Sequence, residues 1–112
     1  MTRNEVLEGK TYHVRLDDNC PLFVTVNYQD DKPFEVFVRC DEPEVFEWTT
    51  LTTILITRLL RAGESLQDIA TELQEIHSPR TSHWLPGGKG RCPSLAARIG
   101  LVLEQHLRSE KS

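Results

Sequence analysis

The sequence predicts an α+β fold: a three-stranded antiparallel β-meander followed by three helices packed on one face. Three observations carry that expectation. Apolar and polar residues alternate with period 2 through much of the first forty residues, the pattern of half-buried strands. Beyond residue 40 the apolar residues recur at i, i+3 and i+4, the spacing of helices with one buried face. Clusters rich in Asp, Asn and Pro separate the early segments and supply turn chemistry.

In the first strand Tyr12, Val14 and Leu16 alternate with His13 and Arg15. Residues 17–21, Asp-Asp-Asn-Cys-Pro, make the turn into a second strand, where Leu22, Val24 and Val26 alternate with Phe23, Thr25 and Asn27. Asp30, Asp31, Lys32 and Pro33 form the next turn, and residues 34–38, Phe-Glu-Val-Phe-Val, make a third strand of strong β formers. A meander of this kind leaves two open sheet edges, which invite a homodimer by edge or face.

The first helix is expected to bury Leu51, Ile54, Leu55, Leu59 and Ala62. Its many Thr residues are poor helix formers, so tertiary packing must stabilise it. Gly63 stops it. Ser65 with Asp68 gives a capping-box-like start to a second helix lined by Leu66, Ile69, Ala70, Leu73 and Ile76. Residues 77–93 then break the pattern with three Pro and three Gly, and a loop of that length inside a compact domain is often functional. Ser94 caps a last helix with Leu95, Ile99, Val102 and Leu103 as its stripe. The chain therefore reads as a single domain over 1–112, a meander in 1–40 and helices in 46–108 interrupted by the 77–93 loop.

The 112 residues suffice for one modest core without disulfide staples. A net charge of −4 argues against broad DNA or RNA binding, which needs a basic face. The longest uncharged run, 48–57, is too short to span a bilayer, so no membrane association is expected. Glu5 and Glu8 interrupt any leader-like start, which points to a soluble cytoplasmic domain. Three cysteines, an odd number, fit reduced thiols or a metal site better than a disulfide framework.

Several residues could carry chemistry. Lys89 and Arg91 in the Gly-Gly-Lys-Gly-Arg run, with Arg80 nearby, could hold an anion together with the N-terminus of the last helix. The run lacks the Gly-Lys-Ser/Thr ending of a phosphate-cradling loop, and a flexible turn is the plainer alternative. Trp84 is either a stacking platform or a loop anchor plugged into the core. Cys92 with His83 or His77 as base would make a small cysteine-dependent enzyme, but no third orienting group is evident. His13 and His106 read as surface or packing residues. Asp41, Glu42, Glu44 and Glu47 read as a solvated connector into a helix N-terminus. Meander topology returns Cys40 to the sheet end that carries Cys20, so the two can approach. Without Cys-x-x-Cys spacing they could equally be buried structural cysteines.

The order of these features resembles the TSCPD domain. That small domain, named for its Cys-Pro motif, occurs at the C-terminus of cobalamin-dependent ribonucleotide reductases and as short stand-alone proteins. Residues 6–12 (Val-Leu-Glu-Gly-Lys-Thr-Tyr) resemble its opening, 22–27 its second strand, and 32–37 (Lys-Pro-Phe-Glu-Val-Phe) its most distinctive block. Residues 59–63, Ile69, and Cys92-Pro93 followed by Ala-Ala-Arg-Ile-Gly continue the likeness. The naming motif keeps only its Cys-Pro core, and Ser94 stands where the family has an acidic residue.

Some relatives carry four cysteines, and the resemblance implies that Cys20, Cys40 and Cys92 occupy three of those positions while Ser78 occupies the fourth. A zinc site of Cys20, Cys40, Cys92 and His77, with His83 as the alternative ligand, is the corresponding expectation. The chain lacks room for the reductase barrel. It is expected to be non-catalytic by itself, an accessory or regulatory module that binds a ribonucleotide reductase catalytic chain or another ligand at the 77–93 loop. The alternative is a stand-alone nucleotide-binding or sequestering protein, cellular or viral, in which Arg80, Trp84, Lys89 and Arg91 hold a phosphate and a base.

Overall fold

The computed structural model describes residues 2–15 and 21–110. Its elements run β1 (Glu8–Arg15), β2 (Pro21–Gln29), β3 (Lys32–Cys40), α1 (Pro43–Arg61), α2 (Leu66–Leu73), β4 (His83–Trp84), β5 (Arg91–Cys92) and α3 (Leu95–Glu110). The expected three-stranded antiparallel sheet is present in the order β1-β2-β3, followed by three helices. The chain forms two compact units: one holds β1–β3 with α1, the other α2, the β4–β5 hairpin and α3. The turn foreseen at 17–21 falls almost wholly outside the described residues, as do Leu16 and Cys20.

In the first unit the alternation reads out as predicted. Leu22, Val24 and Val26 stand opposite Cys40, Val38 and Val36, and all six side chains are buried. Asp30 and Asp31 link β2 to β3 as a two-residue turn with φ of 55° and 62°. Positive φ at both central residues is the type I′ arrangement, whose twist matches the flanking strands. On the opposite sheet face His13 stacks on Phe23, with ring centroids 4.7 Å apart.

Helix α1 departs from the prediction in a way the physics explains. It packs principally against β3, with Thr49, Ile56 and Leu60 buried. Leu51, Ile54, Leu55, Leu59 and Ala62, expected in the core, are exposed. The deciding interaction is a pair of threonines on the open edge of β3. Thr53 Oγ1 accepts from the Val38 N–H at 2.7 Å and donates to the Val38 carbonyl at 3.2 Å. Thr57 Oγ1 does the same at Val36, at 3.2 Å each way.

Residues i and i+4 of a helix advance about 6 Å along its axis. Residues i and i+2 of a strand advance about 6.6 Å, so two hydroxyls can serve two successive outward-facing peptide groups. The β3 edge, expected to be open, is thereby closed. Helix α1 ends as foreseen: Gly63 N–H bonds Leu60 O and Glu64 N–H bonds Leu59 O, the paired closure of a Schellman motif.

The segment preceding β1 is clamped to the sheet. Arg3 lies 2.9 Å from Glu35 through Nη2, with Nε 3.1 Å from the other carboxylate oxygen, and Asn27 Nδ2 donates to Glu35 at 2.9 Å. Arg61 from α1 lies 3.6 Å from the same carboxylate and covers the Phe34 ring. Burial pushes the Glu35 carboxyl up. The hydrogen bonds from Arg3 and Asn27, with the charges of Arg3 and Arg61, outweigh that and hold it below its ordinary value. The exposed acidic connector contains one ion pair among the described residues, Arg39 to Asp41 at 3.1 Å.

In the second unit Ser65 caps α2 through the Asp68 N–H, and Leu66, Ile69 and Ala70 are buried as expected. Ile76 is exposed, because α2 ends at Leu73 and the helical phase that would have turned it inward is lost. On α3 Leu95, Ile99, Val102 and Leu103 are all buried, and His106 is a packing residue.

Helices α2 and α3 cross closely at Gly100. A Cβ there would stand 2.7 Å from the Ala70 carbonyl oxygen and 3.0 Å from Leu73 Cβ. Gly100→Ala is therefore expected to destabilise by about 1–3 kcal/mol, although helix propensity alone favours Ala by about 1 kcal/mol. Urea denaturation of this variant reads the sign directly, and a gain in stability would contradict the close crossing.

Candidate functional site

The 77–93 segment is an ordered hairpin anchored on the start of α3. Ser94 Oγ donates to the Ile76 carbonyl at 2.6 Å and accepts from the Ala97 N–H at 2.9 Å, so the predicted N-cap also holds the far end of the loop. Thr81 Oγ1 accepts from the Leu95 N–H at 3.0 Å. The Ser78 N–H bonds the Pro93 carbonyl, and the Thr81 and Ser82 N–H groups close a turn on Ser78 O.

The hairpin that follows pairs His83 with Cys92 and Trp84 with Arg91, and the Leu85 N–H closes on Gly90 O at 2.7 Å. Its tip turns through a 3₁₀ turn at Pro86–Gly88. Gly87, Gly88 and Gly90 all have φ between 69° and 95°, a backbone region that L side chains seldom adopt.

Cross-strand pairing sends the two residue pairs to opposite faces. The inward pair, His83 and Cys92, is buried. His83 Nδ1 lies 2.9 Å from the Thr81 carbonyl, and Nε2 lies 3.4 Å from Arg98 Nη1. A carbonyl only accepts and a guanidinium only donates, so these contacts assign the proton to Nδ1 and the lone pair to Nε2. The Cys92 thiol is 1% exposed and directs its S–H at the Ser94 carbonyl, 3.4 Å away. Neither group faces solvent, so the geometry gives no support to Cys92 as a nucleophile.

The outward pair is the surface feature of the hairpin. Trp84 is 62% exposed, contrary to an anchor plugged into the core. The Arg91 guanidinium lies 5.3 Å from its ring centroid and donates to Ser82 Oγ at 2.8 Å. Stacking and hydrogen bond together hold Arg91 in one place while its plane stays at the surface. Lys89 is exposed at the tip and Arg80 in the turn before β4.

Of the four residues expected to hold a ligand, Trp84 and Arg91 are thus brought together. The N-terminus of α3, expected to help hold an anion, already gives its Leu95 and Ala97 N–H groups to Thr81 and Ser94. Arg98 was missed. It sits between Leu95, Ile99 and Val102 on the apolar stripe, and a cation in that phase is a readable sign of a buried polar contact.

The cysteines divide. Cys40 is disulfide-bonded, where reduced thiols were expected, and Cys92 is a free thiol. Cys20 lies outside the described residues. His77 is exposed, and among the described residues no group of three or more His, Cys, Asp or Glu could hold a metal ion. A disulfide sulfur is not the thiolate that zinc requires, and the His83 lone pair is already engaged by a cation. Zinc at the expected ligands would require Cys40 in its reduced form. Among the described residues no helix is long and apolar enough to cross a membrane.

Fold and site together define an α+β domain that presents an aromatic–cationic hairpin. The chain belongs to the TSCPD domain family, whose family model matches residues 2–107. No curated protein and no solved structure matches the chain.

Proposed function

We propose that this chain is an accessory or regulatory binding module related to ribonucleotide reductase, working through the β4–β5 hairpin, and that its ligand class is a nucleotide. The observation that carries the reading is the exposed Trp84 ring with Arg91 held over it. An indole face stacks on a nucleobase, and base–aromatic stacking contributes about 1–3 kcal/mol. A guanidinium pairs with phosphate oxygens in a bidentate fork, and Lys89 at the tip adds a second cation within the same hairpin. Anchoring by Ser94, Thr81 and Arg98 keeps the ordering cost of binding low. Membership of the TSCPD family supports the link to reductases.

Tryptophan fluorescence tests the ligand class. The chain has two tryptophans, so Trp48→Phe leaves Trp84 as the sole reporter. Titration with a panel of ribo- and deoxyribonucleoside di- and triphosphates is expected to quench it saturably. Arg91→Ala is expected to weaken that binding at least tenfold, about 1.4 kcal/mol, with an unchanged circular dichroism spectrum. No saturable response to any nucleotide sinks the nucleotide reading. The same Trp–Arg pair has the composition of protein-interface hot spots, so co-purification with a reductase catalytic chain is then the next measurement.

A further inference from the structure

We propose that the outer face of α1 is a self-association surface, on which a second copy of this chain docks antiparallel about a two-fold axis. This inference is independent of the hairpin. Helix α1 is apolar on two sides: Thr49, Ile56 and Leu60 are buried, while Phe46, Trp48, Leu51, Ile54, Leu55 and Leu59 are 44–64% exposed. At 100° per residue the exposed set is centred roughly opposite the buried one. Six large apolar side chains at about half exposure present on the order of 500 Å². That is near the upper end of the largest patch on ordinary monomers and approaches the ~800 Å² per partner of a standard interface.

Charge selects the occupant. The same helix carries exposed Glu47 near its start and exposed Arg58 near its end. An antiparallel pairing centred between Thr52 and Thr53 sets Glu47 of each copy level with Arg58 of the other. The same register sets Leu51 level with Ile54 on that outer face. One register thus satisfies both the exposed apolar residues and the charges set among them, as an isologous interface requires of a single patch. Closure of the β3 edge by Thr53 and Thr57 removes that edge as a competing route to the same dimer.

Sedimentation velocity on the full chain, from low to hundreds of micromolar, tests the surface. A reversible monomer–dimer equilibrium is expected. Leu55→Glu places two carboxylates in each interface and is expected to weaken it about a hundredfold or more, with unchanged circular dichroism because Leu55 is exposed in the single chain. Glu47→Arg and Arg58→Glu are each expected to weaken self-association about tenfold, and an equimolar mixture of the two variants to associate more tightly than either alone. A wild-type monomer at every concentration, a dimer indifferent to Leu55→Glu, or a mixture no tighter than its components would each overturn the proposal.

Discussion

Glu35→Gln is expected to lower stability by about 2 kcal/mol at neutral pH, an unusually large effect for so conservative a change. The side chain is buried, Arg3 and Asn27 donate hydrogen bonds to it, and the Arg61 guanidinium lies 3.6 Å away as an ion pair. The amide keeps the shape but withdraws the charge and replaces an acceptor with a donor facing two cations. Both arginine side chains are more than a third exposed and can turn to water, so the figure stays below that of a fully buried pair.

The pH dependence follows from the direction of the shift. The folded carboxyl is held below its ordinary value, so the unfolded chain takes up this proton first as pH falls. The wild-type advantage over Glu35→Gln is therefore complete above the unfolded value, about 4.3. It shrinks as pH drops below that and through the lower folded value. Urea denaturation of both proteins at neutral and acidic pH reads the difference. A gap that stays constant, or widens in acid, contradicts the ion-pair account.

The second large effect is expected from Thr53→Val with Thr57→Val. Valine has the shape of threonine, a similar helix propensity and greater hydrophobicity, so a helix held by apolar packing alone would gain stability. Here the two changes remove four hydrogen bonds from the edge of β3. The Val36 and Val38 peptide groups are left without those partners beneath a helix. A combined loss of about 2–4 kcal/mol is expected, with increased aggregation as the edge becomes available for pairing. Unchanged or greater stability in the double variant would show that α1 is held by its apolar contacts instead.

These two variants also mark where sequence reasoning stopped. Strand alternation, the Asp30–Asp31 turn, the Gly63 stop and the Ser65 and Ser94 caps are local properties. Each depends on a few neighbouring residues and the conformations they allow, and each is legible in the sequence. The loop that carries the candidate residues is legible as well, since three Gly, Lys89, Trp84 and Arg91 stand within eight residues of one another, but its pairing into the β4–β5 hairpin is not. The glycines announce a backbone that only they adopt readily.

What only the tertiary structure decided is which way each amphipathic surface turns. Helix α1 carries apolar residues on two sides, and hydrophobicity alone favoured the side that is exposed. The choice was made by the peptide groups on the edge of β3, which needed partners that threonine hydroxyls supply at matching spacing. In the hairpin, cross-strand register turned Trp84 outward with Arg91 and buried His83 with Cys92 beside Arg98. Both decisions satisfy hydrogen-bonding groups supplied by residues distant in the chain. A one-dimensional pattern carries the periodicity of an element, but not the unmet donors and acceptors of the surface it will meet.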